Sequence, residues 1–475
     1  MKKILILFFS IINLFILSDK ACCVTDVKDN TELSVEDCIE IALKNDPNIT
    51  LYTNVRDAMK SRVGQAKSDY FPQLLGNTSY NLQNNNYSMN NVTNNYYQLN
   101  LGVNQLIWNF GKTTAKINMQ KYNYAAADFD LENTVLNTVY KVKLAYFGVL
   151  AAKANHDIYE RSVRINGINY ERTKALYEEG LKSKIDVVNA EVYLTDAKIQ
   201  LLDADNKYQT ALIALNNAMY YRKAPAYTIK NTENFNFQKN YSVKNEINVA
   251  YIKKQQLDEK ADNAEQSAIL TSGIEKQNIL ENFVFKPFEM SMDECIDSAY
   301  EKRPDLKSLL LAQKAANESL KAVKRMYLPD INATYGYTFR KVEDKNNSGF
   351  TVAGALAFPN INIMNVKYSI AEAKSNYKIA GDNIDIIRNT IYFDIQNYYV
   401  NMIQLEKRIP LMGKKVKQTL ENFELADGRY TVGLGNFIEL QDAQTNYNNA
   451  QLAYVQSVFD YNVAKVQLER AMGIR

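Results

Sequence analysis

Glu439 and Asp442 stand three residues apart just after Gly433, and on a helix that spacing puts both carboxylates on one face. A pair of this kind attracts cations. Covalent chemistry would need a nucleophile, a base or a metal-ligand set beside it, and the rest of the chain does not supply one. There is a single histidine, His156, with no cysteine or carboxylate cluster pointing to it. Neither a glycine-rich phosphate loop nor a nucleophile elbow occurs. The chain therefore does not read as an enzyme, and no catalytic, cofactor-binding or metal-binding residue is assigned. The 12 methionines are scattered, which gives no sign of soft-metal binding. With 56 basic and 53 acidic residues the formal net charge is +3, and no nucleic-acid footprint is visible.

The elements that carry the acidic pair are written twice. Ser34, Cys38, Ile39, Ala42, Pro47, Tyr70, Pro72 and Tyr80 recur at one constant separation as Ser291, Cys295, Ile296, Ala299, Pro304, Tyr327, Pro329 and Tyr337. From Asn109/Asn362 to Met219/Met472 a second constant separation holds, four residues shorter. Two halves therefore share one plan, with the length change in an Asn-rich loop. In the first half, Asp186 and Asn189 match Glu439 and Asp442.

Each half reads helix, strand, strand, long helix, helix. Capping boxes open the first helix at Ser34–Asp37 and Ser291–Glu294. Asp46-Pro47 and Arg303-Pro304 break it, and the next helix ends at Phe71-Pro72 and Leu328-Pro329. No proline interrupts Lys112 to about Leu176, which allows a rod of about 100 Å. Alanines and tyrosines mix along it without a leucine heptad, so antiparallel helical hairpins are expected. Pro410 falls inside the second long helix, where a kink or break is expected.

Strands are expected at about 73–83, 97–108, 330–340 and 349–358. Tyr97, Leu99, Leu101 and Val103 alternate with Gln98, Asn100 and Gly102, and Ile331 to Phe339 alternate in the same way with Asn332 to Arg340. Segments of about ten residues, apolar on one face and small or polar on the other, suit membrane-barrel strands. Aromatic residues flank them: Tyr70, Phe71, Trp108, Tyr327 and Phe358 at one end, Tyr96, Tyr97, Phe339 and Phe350 at the other. Beyond the second set lie the polar loops Asn84–Asn95 and Lys341–Ser348.

Lys2-Lys3 followed by Ile4–Leu17 reads as a signal peptide over residues 1–21. No other stretch approaches the length of a membrane helix. The expected address is the cell outer membrane, with the helical portion in the periplasm. Cys22 and Cys23 raise a lipid anchor, against which Asp19-Lys20-Ala21 argues. Cys38 and Cys295 read as small packing residues in equivalent positions, with a disulfide left open.

These residues resemble the TolC-family outer-membrane efflux proteins. The resemblance is carried by Leu33-Ser34-Val35-Glu36-Asp37-Cys38-Ile39, by Tyr70-Phe71-Pro72-Gln73-Leu74 and by Leu106-Ile107-Trp108-Asn109. Most specific are Arg429-Tyr430-Thr431-Val432-Gly433-Leu434 and Phe437 to Ala443, with a weaker copy from Leu176 to Leu181 and from Ile185 to Ala190. It covers a first repeat, residues 33–219, and a second, residues 290–475. Between them, residues 220–289 correspond to an equatorial segment that looks enlarged.

The family implies a mainly α protein with membrane strands. Three chains share a twelve-stranded β-barrel, four strands from each, continued by a periplasmic α-helical barrel. Implied partners are the other chains of a homotrimer, outer-membrane lipid, a periplasmic adaptor (membrane fusion protein) and an inner-membrane pump, with no nucleic acid. The implied function is a passive exit duct for efflux or type I secretion. Gly180 and Leu181, with Val432, Gly433 and Leu434, would form adaptor-docking tips. Glu439 and Asp442 would line the periplasmic entrance constriction, with Tyr430 and Asp186 holding neighbouring helices closed. One departure stands out: Gly435 occupies the place where the family carries an arginine. The chain stops at Arg475, so no tail is expected for partner contacts. A non-membrane periplasmic coiled-coil protein of structural or adaptor type is the alternative, and the cargo is not legible.

Overall fold

The computed structural model describes residues 31–85, 92–222, 226–231, 288–342, 345–359 and 362–474. The signal region, Cys22, Cys23 and the enlarged part of the inter-repeat segment lie outside the described residues. The chain forms two compact units. Of the described residues, the first holds 31–46, 145–222 and 226–231; the second holds those within 47–144 and 288–474.

In the first unit, β1 (Glu32–Leu33) pairs in parallel with β4 (Thr228–Ile229). Helix α1 (Val35–Asn45) follows, opened by the Ser34/Asp37 capping box. Helix α3 (Lys112–Glu178) runs through both units without interruption, and α4 (Lys184–Ala218) returns beside it in the first, where His156 meets Tyr208. Ala190, Ala197 and Ala204 are buried on α4 at heptad spacing, as close packing of small residues requires. The small sheet was not foreseen. Tyr146 of α3 holds it, its hydroxyl donating to Lys230 O at 2.6 Å and lying 3.2 Å from Leu33 O.

In the second unit, α2 (Pro47–Ser68) leads into β2 (Gln73–Asn85) and β3 (Val92–Trp108). The repeat gives α5 (Met292–Lys302), opened by the Ser291/Glu294 capping box, then α6 (Pro304–Lys324), β5 (Asp330–Val342) and β6 (Lys345–Ala357). Helix α7 (Ile363–Thr431) and helix α8 (Phe437–Ala471) close the chain. Helices α7 and α8 pack face to face, with Phe423 and Tyr447 stacked at 6.0 Å.

The four long strands form one antiparallel sheet in the order β2-β3-β5-β6. Its register aligns like with like. Leu74, Val103, Tyr335 and Val352 form one cross-strand row, and Leu101, Tyr337 and Phe350 the next. The opposite face carries Asn77, Asn100, Thr338 and Gly349. The strands run further than the alternation implies, into segments expected as loops. Backbone pairing between polar residues continues the ladder where no apolar face demands it. A bulge between Leu106 and Trp108 sets Trp108 opposite Ile331, on the apolar face.

Pro410 does not break its helix. Helix α7 is continuous from Ile363 to Thr431, with Met402, Leu405 and Ile409 buried on one side of that stretch. The residues that pack there hold the helix through the lost hydrogen bond.

Candidate entrance and docking site

Both long helices end in the same way. Gly180 adopts φ 76° and Gly433 φ 79°, a left-handed conformation that costs glycine little. At the first turn, Leu181 N donates to Leu176 O at 2.8 Å and Gly180 N to Tyr177 O at 2.9 Å. At the second, Leu434 N donates to Arg429 O at 2.9 Å and Gly433 N to Tyr430 O at 3.2 Å. These paired bonds are a Schellman motif, which satisfies the last carbonyls and reverses the chain. The apolar residues at the turns are left in solvent: Leu181 at the first, Val432 and Leu434 at the second, Leu434 being 73% exposed.

The return helices start on different caps. Asn436 Oδ1 accepts Glu439 N at 2.7 Å and fixes the first turn of α8. On α4, Ser183 N and Oγ donate to Asp186 Oδ2 at 3.2 and 2.8 Å. Asp186 is thus engaged by its own helix start. The Ser183-x-x-Asp186 spacing is the same signature as the capping boxes of α1 and α5, and sequence reasoning passed over it.

Within the second unit, Tyr430 is 1% exposed and lies edge-on to Phe437 at 5.9 Å. Glu439 and Asp442 occupy successive turns of α8, with Asp442 in solvent. Glu439 has a partner that was not anticipated: Arg429 Nε lies 3.5 Å from its Oε1. Asp186 belongs to the other unit. Among the described residues, metal-ligand character appears at His156, Asp157 and Glu160, whose donor atoms lie within 4.8 Å of one another. They come from one helix turn and lack the fourth donor of a structural zinc site.

The family model described as "Outer membrane efflux protein" matches residues 38–219 and 295–474, well over half of the chain. "Outer membrane protein TolC" of Vibrio cholerae is 26% identical over 193 residues, 40% of this chain but only 44% of that protein. "Toluene efflux pump outer membrane protein TtgC" of Pseudomonas putida is 19% identical over 461 residues, covering 93% of this chain and 83% of the relative. Crystal structures of CusC superpose with a TM-score of 0.73 at 15% identity, over 96% of this chain and 99% of that one. That likeness extends to the fold of both repeats.

Proposed function

The chain belongs to the outer membrane efflux protein family, and we propose that it is the passive outer-membrane exit duct of a tripartite efflux or type I secretion system. It works as a homotrimer. An inner-membrane pump supplies the energy, and a periplasmic adaptor docks on the turns at Gly180–Leu181 and Val432–Leu434. Glu439 and Asp442 line the entrance, with Tyr430 and Asp186 at its helix contacts.

One observation carries this reading. The four-stranded sheet has two long edges, β2 and β6, with no neighbour among the described residues, and an apolar face turned to solvent, with Leu74 and Val352 each 80% exposed. In lipid every backbone group must be paired, so such a sheet is stable only when chains pool strands into a closed barrel. A water-soluble coiled-coil protein has no use for that face. The helices support the same assembly. On α4, Ile185, Val188, Val192, Ile199, Leu202 and Ile213 form an exposed heptad stripe, as between helices of neighbouring chains. The family itself is one of channels, not of enzymes.

The test is the purified protein in mild detergent and in planar bilayers. A detergent-stable trimer that conducts ions is expected. A monomer without conductance would overturn the proposal.

A further inference from the structure

The turn between α7 and α8 carries a positive charge at Arg429, beside the acids that follow it. A Cβ at Gly435 would sit 3.1 Å from Tyr430 N and 3.2 Å from both Arg429 C and Arg429 Cβ. Position 435 is therefore pressed against the end of α7, where a long side chain would force its neighbours to shift. Arg429, on the far side of the same turn, reaches across instead to Glu439, Nε to Oε1 at 3.5 Å. Both ends of this pair are fixed by backbone. Arg429 O accepts from the N–H groups of Leu434 and Gly435, each at 2.9 Å, and Glu439 N is held by Asn436.

We infer that Arg429 is the built-in counter-ion of Glu439 and sets how strongly the entrance attracts cations. The inference rests on the reading of this turn as the entrance. With Arg429 in place, each chain presents Arg429, Glu439 and Asp442, so one of its two carboxylates is offset. A passing cation meets an ion pair and one further acid, Asp442, in place of two uncompensated acids. The pair is half exposed, so its mutual attraction adds little to stability. The charge matters through the pore: Arg429 lies well inside the screening length of about 10 Å at 0.1 M salt, so an ion near Glu439 feels both groups.

Single-channel recordings of the full-length trimer, with hexaamminecobalt(III) as the trivalent probe, decide the matter. Arg429→Gln removes the charge and still offers N–H donors, through its carboxamide. It is expected to tighten block by about tenfold or more at low salt, since three chains each lose one repelling charge. Arg429→Lys should block like the parent. The double variant Arg429→Gln with Glu439→Gln restores the parent's net charge and should return block to near the parent value. A purely structural role for Arg429 predicts no such return. Recovery of detergent-stable trimer controls for folding in every variant. If Glu439→Gln with Asp442→Asn weakens block while Arg429→Gln changes nothing, the entrance reading stands and this inference falls. If neither changes block, the turn is not the constriction and both fall.

Discussion

Tyr146 connects three distant pieces of chain through one hydroxyl. It is fully buried, with its oxygen against Lys230 O and Leu33 O. Burial, followed by the nearby Cys38 and the acids of α1, raises its pKa well above the usual phenol range, so it remains a donor under all ordinary conditions. Tyr146→Phe leaves two carbonyls without that donor and should cost about 1–3 kcal/mol. Hydrogen exchange is the check: protection at Thr228 and Ile229 should fall, while the sheet β2-β3-β5-β6 keeps its own. Equal loss everywhere would mean that the hydroxyl does not act on this clasp. Cys38, beside it, is pushed up to about 12 by burial first and then by Asp37 and Glu36. Cys295, its counterpart, rises to about 11 for the same leading reason. Both are free, buried thiols, as their matched positions suggested. The capping boxes were legible because both partners sit within one turn. Tyr146's partner Lys230 lies 84 residues on and Arg429's depends on the path of a turn, so neither could be read from spacing.

At the scale of elements, sequence periodicity reported faces better than ends. Alternation in β3 and β5 identified the apolar row, but a bulge of one residue near Trp108 leaves no mark in composition. The exposed apolar residues of α7 show a similar limit. Ile379, Ile386, Phe393 and Val400 recur every seven residues, and the next large one is Leu411. That eleven-residue step is a heptad with four residues inserted, a stutter that locally unwinds a helical supercoil. Pro410 stands at the step. The proline was legible and its outcome was not, because the packing of Met402, Leu405 and Ile409 decides it. A proline inside a helix costs about 3 kcal/mol against alanine, so Pro410→Ala should stabilise the chain by up to that amount. Thermal unfolding of the detergent-solubilised protein checks this. A lower melting temperature would show that the geometry imposed by proline is itself part of the packing.

For the whole molecule, the deciding question is which face of the sheet meets lipid. Val352 and Thr351 are adjacent on β6, yet their rows differ in kind. Val352 aligns with Tyr335, Val103 and Leu74; Thr351 aligns with Gly336, Gly102 and Leu75. The first row is large and apolar, and the second carries two glycines and a threonine. A lysine on the lipid face near the bilayer midplane costs about 2–4 kcal/mol, whereas a lumen residue mainly tunes the passage of ions. Val352→Lys should therefore cut recovery of outer-membrane trimer sharply, because in the proposed barrel each chain's sheet bears that cost. Thr351→Lys should assemble at parental yield and shift bilayer conductance toward anions. The two positions are neighbours in one strand, so any general intolerance of charge would strike both alike. Loss of Thr351→Lys with survival of Val352→Lys would invert the sheet, placing its small residues in lipid. Equal tolerance of both would remove the sheet from the membrane, and with it the requirement that chains pool their strands.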